Sequence, residues 1–179
     1  MQQDISSFHT LNIPMQGKIL IRLNTILNDY MERHSKTIVI RLDVHPPEDS
    51  DPKTIMKFNH RFIECEKKHG YDPAYITARE TKRNGKYHYH MALFLNGQKT
   101  ESTYTHFENA KRILNNVASG GQINYCNDGH RNGIMIRRND PDLTNLHEVQ
   151  QQISYLAKTD QKANVKGKTF FTSRIKKKS

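Results

Sequence analysis

The sequence predicts an α+β protein of the ferredoxin-like class, a split-βαβ antiparallel sheet with helices on one face. The first observation is the order of the apolar patterns, which read strand, helix, strand, strand, helix, strand, with an extra helix at each end. The second is the turn signal Arg83-Asn84-Gly85, which joins the middle two strands as an antiparallel hairpin. The third is the absence of a long linker in the 179 residues, which predicts one compact domain.

Each element has its own signal in the sequence. Residues 16–34 repeat apolar side chains at helical spacing, whereas residues 36–45 are rich in β-branched side chains and stop at two prolines. Asp51-Pro52 then predicts the start of a second helix, and Gly70 predicts its end. The remaining patterns predict strands at 74–82 and 86–95, a helix between about 105 and 120, short strands at 122–126 and 133–138, and a last helix at 143–158.

These elements divide the chain into three segments. Residues 1–35 form an N-terminal helical extension, residues 36–158 form the folded domain, and residues 159–179 form a basic C-terminal tail. The tail has seven basic residues against one acidic residue, which predicts an arm that is solvated or contacts nucleic acid.

The net charge indicates the class of partner. Lys and Arg number 28 against 18 Asp and Glu, a formal charge of +10. This surplus is typical of small domains that bind DNA, RNA or an anionic membrane surface, although a merely basic soluble protein also fits. The chain has no apolar leader and no membrane-spanning stretch, and its two cysteines are isolated. We therefore expect a cytoplasmic protein with reduced thiols.

Two histidines on one strand suggest a metal site. His88 and His90 are two residues apart in a predicted strand, so their imidazoles project from the same face. Such a pair suits a divalent ion. In a chain with ten histidines, a solvated or buried structural pair is the alternative.

Glu80 on the preceding strand is the candidate third ligand. A two-residue Asn84-Gly85 turn would set Glu80 opposite Tyr89, on the wrong face. A three-residue loop with a bulge at Gly85 would set it opposite His88, on the same face. The metal interpretation therefore predicts the bulged loop, and a surface carboxylate paired with a lysine is the alternative.

The first strand offers two more polar side chains. Asp43 and His45 are second-choice ligands, or groups that orient the ligands, because this strand runs beside the histidine strand in the predicted topology. Two imidazoles and a carboxylate suit Mn²⁺ or Mg²⁺, and the ligand types also admit Zn²⁺.

Tyr155 is the candidate nucleophile. It lies about 130° from the centre of the apolar stripe of the last helix, with Lys158 one turn further on. A phenol needs help to attack phosphorus, and a nearby ammonium can lower its pKa or neutralise charge in the transition state. An exposed tyrosine without a chemical role is the alternative.

Together these motifs resemble the HUH endonucleases. The chain combines a strand that ends in Arg-Leu-Asp-Val-His-Pro, a later His-hydrophobe-His strand, and a last helix with Tyr-x-x-Lys. More closely, it is similar over about residues 37–179 to the inovirus-type gene-two replication initiator family of filamentous phages, prophages and related plasmids. The resemblance implies the HUH nuclease architecture. Because only one tyrosine lies on the last helix, it also implies a one-nucleophile enzyme.

The resemblance implies a rolling-circle initiator that nicks single-stranded DNA. His88 and His90, with Glu80, would bind the metal. Tyr155 would attack the scissile phosphate and stay joined to the 5′ end, and the released 3′ hydroxyl would prime a host polymerase. The implied partners are single-stranded or hairpin DNA at a replication origin and a host helicase and polymerase in the bacterial cytoplasm, with no membrane.

Basic side chains supply the candidate DNA contacts, with a solvated surface as the alternative for each. They are Arg131, Arg137, Arg138, Lys162, Lys166 and Lys168. Two other functions stay open. A single-tyrosine transposase or a relaxase shares the metal site, whereas a non-catalytic nucleic-acid-binding module of the same fold needs no metal. The third strand lacks the aromatic run by which RNA-binding modules of this fold stack bases.

Overall fold

The computed structural model describes residues 16–51, 53–81, 87–126, 131–158 and 168–174. No described helix has the length and apolarity needed to cross a membrane. In chain order the elements are α1 (Gly17–Arg33), β1 (Lys36–His45), α2 (Thr54–Lys68), β2 (Ala74–Thr81), β3 (Tyr87–Asn96), α3 (Tyr104–Val117), β4 (Gln122–Tyr125), β5 (Ile134–Arg137), α4 (Thr144–Ser154), a 3₁₀ turn (Tyr155–Ala157) and β6 (Phe170–Thr172).

The strands of the described residues form one six-stranded antiparallel sheet, as the α+β class predicts. Its order is β4-β1-β3-β2-β6, and β5 also pairs with β1. The two longest strands, β1 and β3, lie side by side at the centre with Asp43 opposite His90. The ferredoxin-like class is confirmed, and the candidate ligands lie on central strands.

One face of the sheet packs against α2 and α3. Alternate side chains of β1 and β3, such as Ile40 and Leu93, are fully buried there against Phe58 of α2 and Leu114 of α3. Gly70 ends the turn after α2 with φ +79°, a backbone conformation that glycine adopts without strain. These are the two helices that the split-βαβ pattern places on one face.

The opposite face is not open along its whole length. The flanking helices α1 and α4 cover one end of it, where Leu23 and Ile153 are fully buried against Val39 and Phe94. The expectation of helices on one face therefore holds for α2 and α3 only. The difference has a physical reason, because each flanking helix carries its own apolar stripe and must bury it.

The two short strands β4 and β5 do not pair with each other. β4 pairs with the second half of β1, and β5 pairs with the first half. Between them the Asn132 side chain accepts a hydrogen bond from the backbone N–H of Arg41 at 2.8 Å and donates one to the Arg41 carbonyl at 2.7 Å. An amide side chain thus takes the place of a strand residue beside Arg41.

The C-terminal segment contains a strand that the sequence did not predict. Residues 170–172 form β6, which pairs with Ile76, Thr77 and Ala78 of β2 at the sheet edge. Arg22 of α1 fixes this strand by donating a hydrogen bond to the Thr172 hydroxyl at 3.1 Å. Part of the expected arm therefore belongs to the sheet.

Candidate metal centre

The hairpin register decides which side chains share a face with His88. Glu80 lies directly opposite His88, and Ala78 lies opposite His90. This is the register that the bulged three-residue loop predicts; residues 82–86 themselves lie outside the described part of the chain. Glu80, His88 and His90 therefore project from the same face of the sheet, at the end that α1 and α4 leave uncovered.

Three ligand atoms converge there. His88 Nε2 lies 3.1 Å from His90 Nε2 and 3.3 Å from a Glu80 carboxylate oxygen, and the same oxygen lies 3.0 Å from His90 Nε2. All three residues are buried, with Glu80 only 2% exposed. Among the described residues, this is the group of His, Cys, Asp or Glu side chains arranged to hold a metal ion.

The spacing of these atoms fits one divalent ion. Ligands about 2.1 Å from an ion and at right angles to each other lie about 3.0 Å apart. Two imidazoles and a carboxylate match the ligand preferences of several divalent ions, so the group could hold a metal ion, and its geometry does not identify which one.

Asp43 and His45 contact the two histidines. Asp43 makes a short hydrogen bond with His90 Nδ1, which orients the other ring nitrogen toward Glu80. Burial raises the pKa of the Asp43 carboxyl, but the hydrogen bond and charge of His90 outweigh burial and hold that pKa below its usual range. The ring of His45 stacks on the ring of His88, with centroids 5.7 Å apart.

Tyr155 lies beside this group. It begins the 3₁₀ turn that follows α4, so the predicted single helix at 143–158 changes its winding at the candidate nucleophile. Its ring is half-buried and perpendicular to the His90 ring, with centroids 6.2 Å apart. The Lys158 ammonium lies 5.3 Å from the Tyr155 ring centroid.

The N-terminal helix fixes the position of this turn. Leu156 and Ala157 are fully buried in the core between the sheet and the flanking helices. The backbone N–H of Gln16, just before α1, donates a hydrogen bond to the Ala157 carbonyl at 2.7 Å. Helix α1 contributes no residue to the predicted site, yet the residue before it bonds to the turn that carries Tyr155.

Family comparison gives an independent result. A model of the replication-associated protein family of the ORF2 and gene-2-protein type matches residues 37–164. The chain belongs to this family. The match spans β1 through the Tyr155 turn and excludes α1. Neither the curated proteins nor the solved structures contain a match to the chain.

In this member of the replication-associated family, one side chain near the metal centre is not among the site residues predicted from the sequence. Arg41 lies two residues before Asp43 on β1, on the same face. It is 9% exposed, and its guanidinium carbon lies 5.3 Å from the Tyr155 ring centroid. The available signal was its position, because an arginine two residues before Asp43 must share the face of the candidate ligands.

The proposed DNA contacts are scattered. Arg131 is exposed and pairs with Glu148 of α4 at 2.6 Å. Arg137 is exposed at the end of β5, and Arg138 donates a hydrogen bond to the Glu32 carbonyl. Lys168 is exposed beside Phe171, while Lys162 and Lys166 lie outside the described residues. None of the four described side chains contacts the metal centre, and the contact of all six with DNA stays a prediction.

Proposed function

We propose that this protein is a rolling-circle replication initiator that nicks single-stranded DNA with Tyr155. The observation that carries the proposal is the position of a half-buried tyrosine ring 6.2 Å from His90 of a buried Glu–His–His group. Membership of a replication-associated family supports the choice of DNA as substrate. A net charge of +10 supports binding to a polyanion.

The reaction is an exchange of phosphodiester oxygens. The Tyr155 hydroxyl oxygen attacks the scissile phosphorus, the bond from phosphorus to the 3′ oxygen breaks, and a 5′-phosphotyrosyl link forms. The phenol loses a proton and the departing 3′ oxygen gains one, so protons balance and neither water nor a nucleotide cofactor is consumed. A divalent ion held by Glu80, His88 and His90, Mn²⁺ or Mg²⁺, would supply polarisation of the phosphate oxygens.

The residues around Tyr155 assist that attack. Among the described residues none hydrogen-bonds to the Tyr155 hydroxyl, which leaves it able to approach a substrate. The Lys158 ammonium next to the ring would offset negative charge that develops in the transition state. The free 3′ hydroxyl would then serve a host polymerase, with a host helicase separating the strands.

The test is a covalent adduct assay. The purified protein is mixed with Mn²⁺ and single-stranded DNA from the replicon that encodes it, and products are separated on a denaturing gel. Wild type should give a protein–DNA adduct that Tyr155→Phe abolishes. Tyr104→Phe is the matched control, because Tyr104 is 70% exposed and lies on α3, on the other side of the sheet.

The metal requirement is tested in the same assay. His88→Ala and His90→Ala should each abolish the adduct, while the exposed His60→Ala should keep it. An adduct that survives Tyr155→Phe would show that another residue is the nucleophile. Tight, salt-sensitive binding with no adduct would instead favour the non-catalytic module, and efficient joining of two added strands would favour a transposase or a relaxase.

A further inference from the structure

Within the described part of the chain, Arg41 is a buried cation without a hydrogen-bond acceptor for its side chain. The residue is 9% exposed, and no oxygen of the described residues accepts a hydrogen bond from its guanidinium group. A guanidinium presents five N–H donors, and removing it from water without partners is costly. Asp43, the carboxylate two residues along β1, already has its hydrogen bond to His90. The described fold therefore leaves the donors of Arg41 without a protein acceptor, and none of them is fully enclosed, so a ligand can reach them.

The position of Arg41 is fixed by the sheet. Its backbone N–H and carbonyl are both bound by the Asn132 side chain, in the middle of β1. Its guanidinium lies 5.3 Å from the Tyr155 ring centroid, on the face that also carries His90. A cation over an aromatic ring is favourable, but this contact supplies no oxygen acceptor for any of the five donors.

We propose that Arg41 is a phosphate-binding catalytic residue, which donates hydrogen bonds to the non-bridging oxygens of the scissile phosphate as Tyr155 attacks it. The proposal deepens the proposed function and rests on it. The planar guanidinium fork matches two phosphate oxygens, and a fixed cation next to the nucleophile stabilises negative charge that develops in the transition state. The ring contact would also hold the Tyr155 side chain beside the phosphate.

The alternative is that Arg41 only packs on Tyr155 and offsets the charge of Asp43. The two interpretations differ in their dependence on DNA. A phosphate ligand releases counterions when DNA binds, so its removal changes the salt dependence of binding. A purely structural cation changes the stability of the fold and leaves that dependence as it was.

The binding test uses a Tyr155→Phe background, a random-sequence single-stranded DNA pool and Mn²⁺. Adding Arg41→Gln should lower the slope of log K against log salt concentration by about 0.7, the value for one phosphate contact on single-stranded DNA. Arg112→Gln is the matched control and should leave the slope unchanged, because Arg112 lies on α3 and contacts Cys65 and Asn109. Thermal unfolding and Mn²⁺ binding of each variant report whether the fold and metal site are intact.

The activity test uses the adduct assay with Tyr155 present. Arg41→Gln should slow adduct formation by about 100-fold to 1,000-fold, the usual cost of removing one transition-state donor. Arg41→Lys keeps the charge and guards against a folding failure of Arg41→Gln. It should keep the salt slope and still lose about tenfold in rate, since an ammonium cannot form the two-pronged contact.

The outcomes separate the two proposals. If wild type forms no adduct, tyrosine nicking fails, and the salt slope alone then decides whether Arg41 binds phosphate. A slope that Arg41→Gln leaves unchanged, or adduct rates within about threefold of wild type for both Arg41 variants, would overturn the role of Arg41.

Discussion

The described part of the molecule contains two buried glutamate–histidine groups, and they are built differently. The helix pair, Glu66 of α2 and His106 of α3, is fully buried with a 2.6 Å contact. The other His106 ring nitrogen lies 2.9 Å from the Thr100 hydroxyl, and Asn109 donates a hydrogen bond to the second Glu66 oxygen. The helix pair is thus complete within the protein and joins two helices.

The metal group, Glu80 with His88 and His90, points its ligand atoms at one another. Two imidazole nitrogens and one carboxylate oxygen lie within 3.3 Å of each other. The Nδ1 atom of His88 is buried and finds no hydrogen-bond partner in the described part of the chain. Residue types and burial are alike in the two groups, so the direction of the lone pairs is what separates a structural pair from a site that needs a ligand.

The largest expected effect is on stability and belongs to the helix pair. His106→Ala should lower the free energy of unfolding by about 3–5 kcal/mol, because it leaves Glu66 buried without its main partner. Chemical denaturation measures this loss. Mn²⁺ binding by the folded fraction should match wild type. A loss below about 1 kcal/mol would show that the pair contributes little to the fold.

A substitution in the metal group should instead lower the affinity for Mn²⁺. His88→Ala should weaken Mn²⁺ binding by about 100-fold or more, because one of three ligands is lost. Calorimetric titration measures the affinity. In wild type, Mn²⁺ at about 100 times its dissociation constant should add about 2.7 kcal/mol to the free energy of unfolding, a gain that the variant should lack at the same concentration. Equal stabilisation of both proteins by Mn²⁺ would contradict the ligand assignment.

A smaller effect is expected from the group that orients His90. Asp43→Asn should weaken Mn²⁺ binding by about tenfold to 100-fold, because the amide cannot stabilise the Nδ1 proton as a carboxylate does. Asp49→Asn is the control, since Asp49 is exposed in the loop after β1. An Asp43→Asn affinity equal to that of the control would mean that the hydrogen bond does not support the metal group.

The smallest expected effect is the dependence of Mn²⁺ binding by the metal group on pH. Burial lowers the pKa of the His90 imidazole, but hydrogen bonds and charges from Asp43 and Glu80 outweigh burial and raise that pKa above its usual 6.5. Metal binding needs the neutral imidazole, so protons compete with Mn²⁺ below the raised pKa. The affinity should fall by up to about tenfold for each pH unit, beginning at a higher pH than an ordinary histidine would give. Titrations across this range measure the decline, and an affinity independent of pH would argue against His90 as a ligand.

The sequence predicted the bounds of the central strands, and of the helices that precede and follow them in the chain, to within a few residues. β1, β2 and β3 have strong β-branched or alternating patterns, and the Asn-Gly turn allowed only a few registers. The requirement that Glu80 face His88 then selected the observed register. The face covered by α1 and α4 was harder to predict, because a helical stripe shows that a helix buries one side without showing what it packs against.

The rest of the site depends on contacts between distant parts of the chain. Arg41 and Tyr155 are 114 positions apart, and no local pattern relates them. β6 is three residues long, and it forms because β2 offers an unpaired edge, which is a property of the sheet and not of residues 170–172. Asn132 lies between the two short predicted strands, and an amide that replaces a strand residue has no signature in the sequence.

Asn132 also bears on how readily this protein could be modified. Because its side chain completes the hydrogen bonds of Arg41, the chain can leave the sheet after β4 and re-enter at β5 without exposing an unpaired peptide group in the middle of β1. The backbone hydrogen bonds of Arg41 on this side of β1 therefore depend on the side chain of Asn132. We expect that a longer or different segment can replace the connection between β4 and β5 while Asn132 is retained. This connection is therefore a suitable position for exchanging segments among relatives or for inserting a reporter.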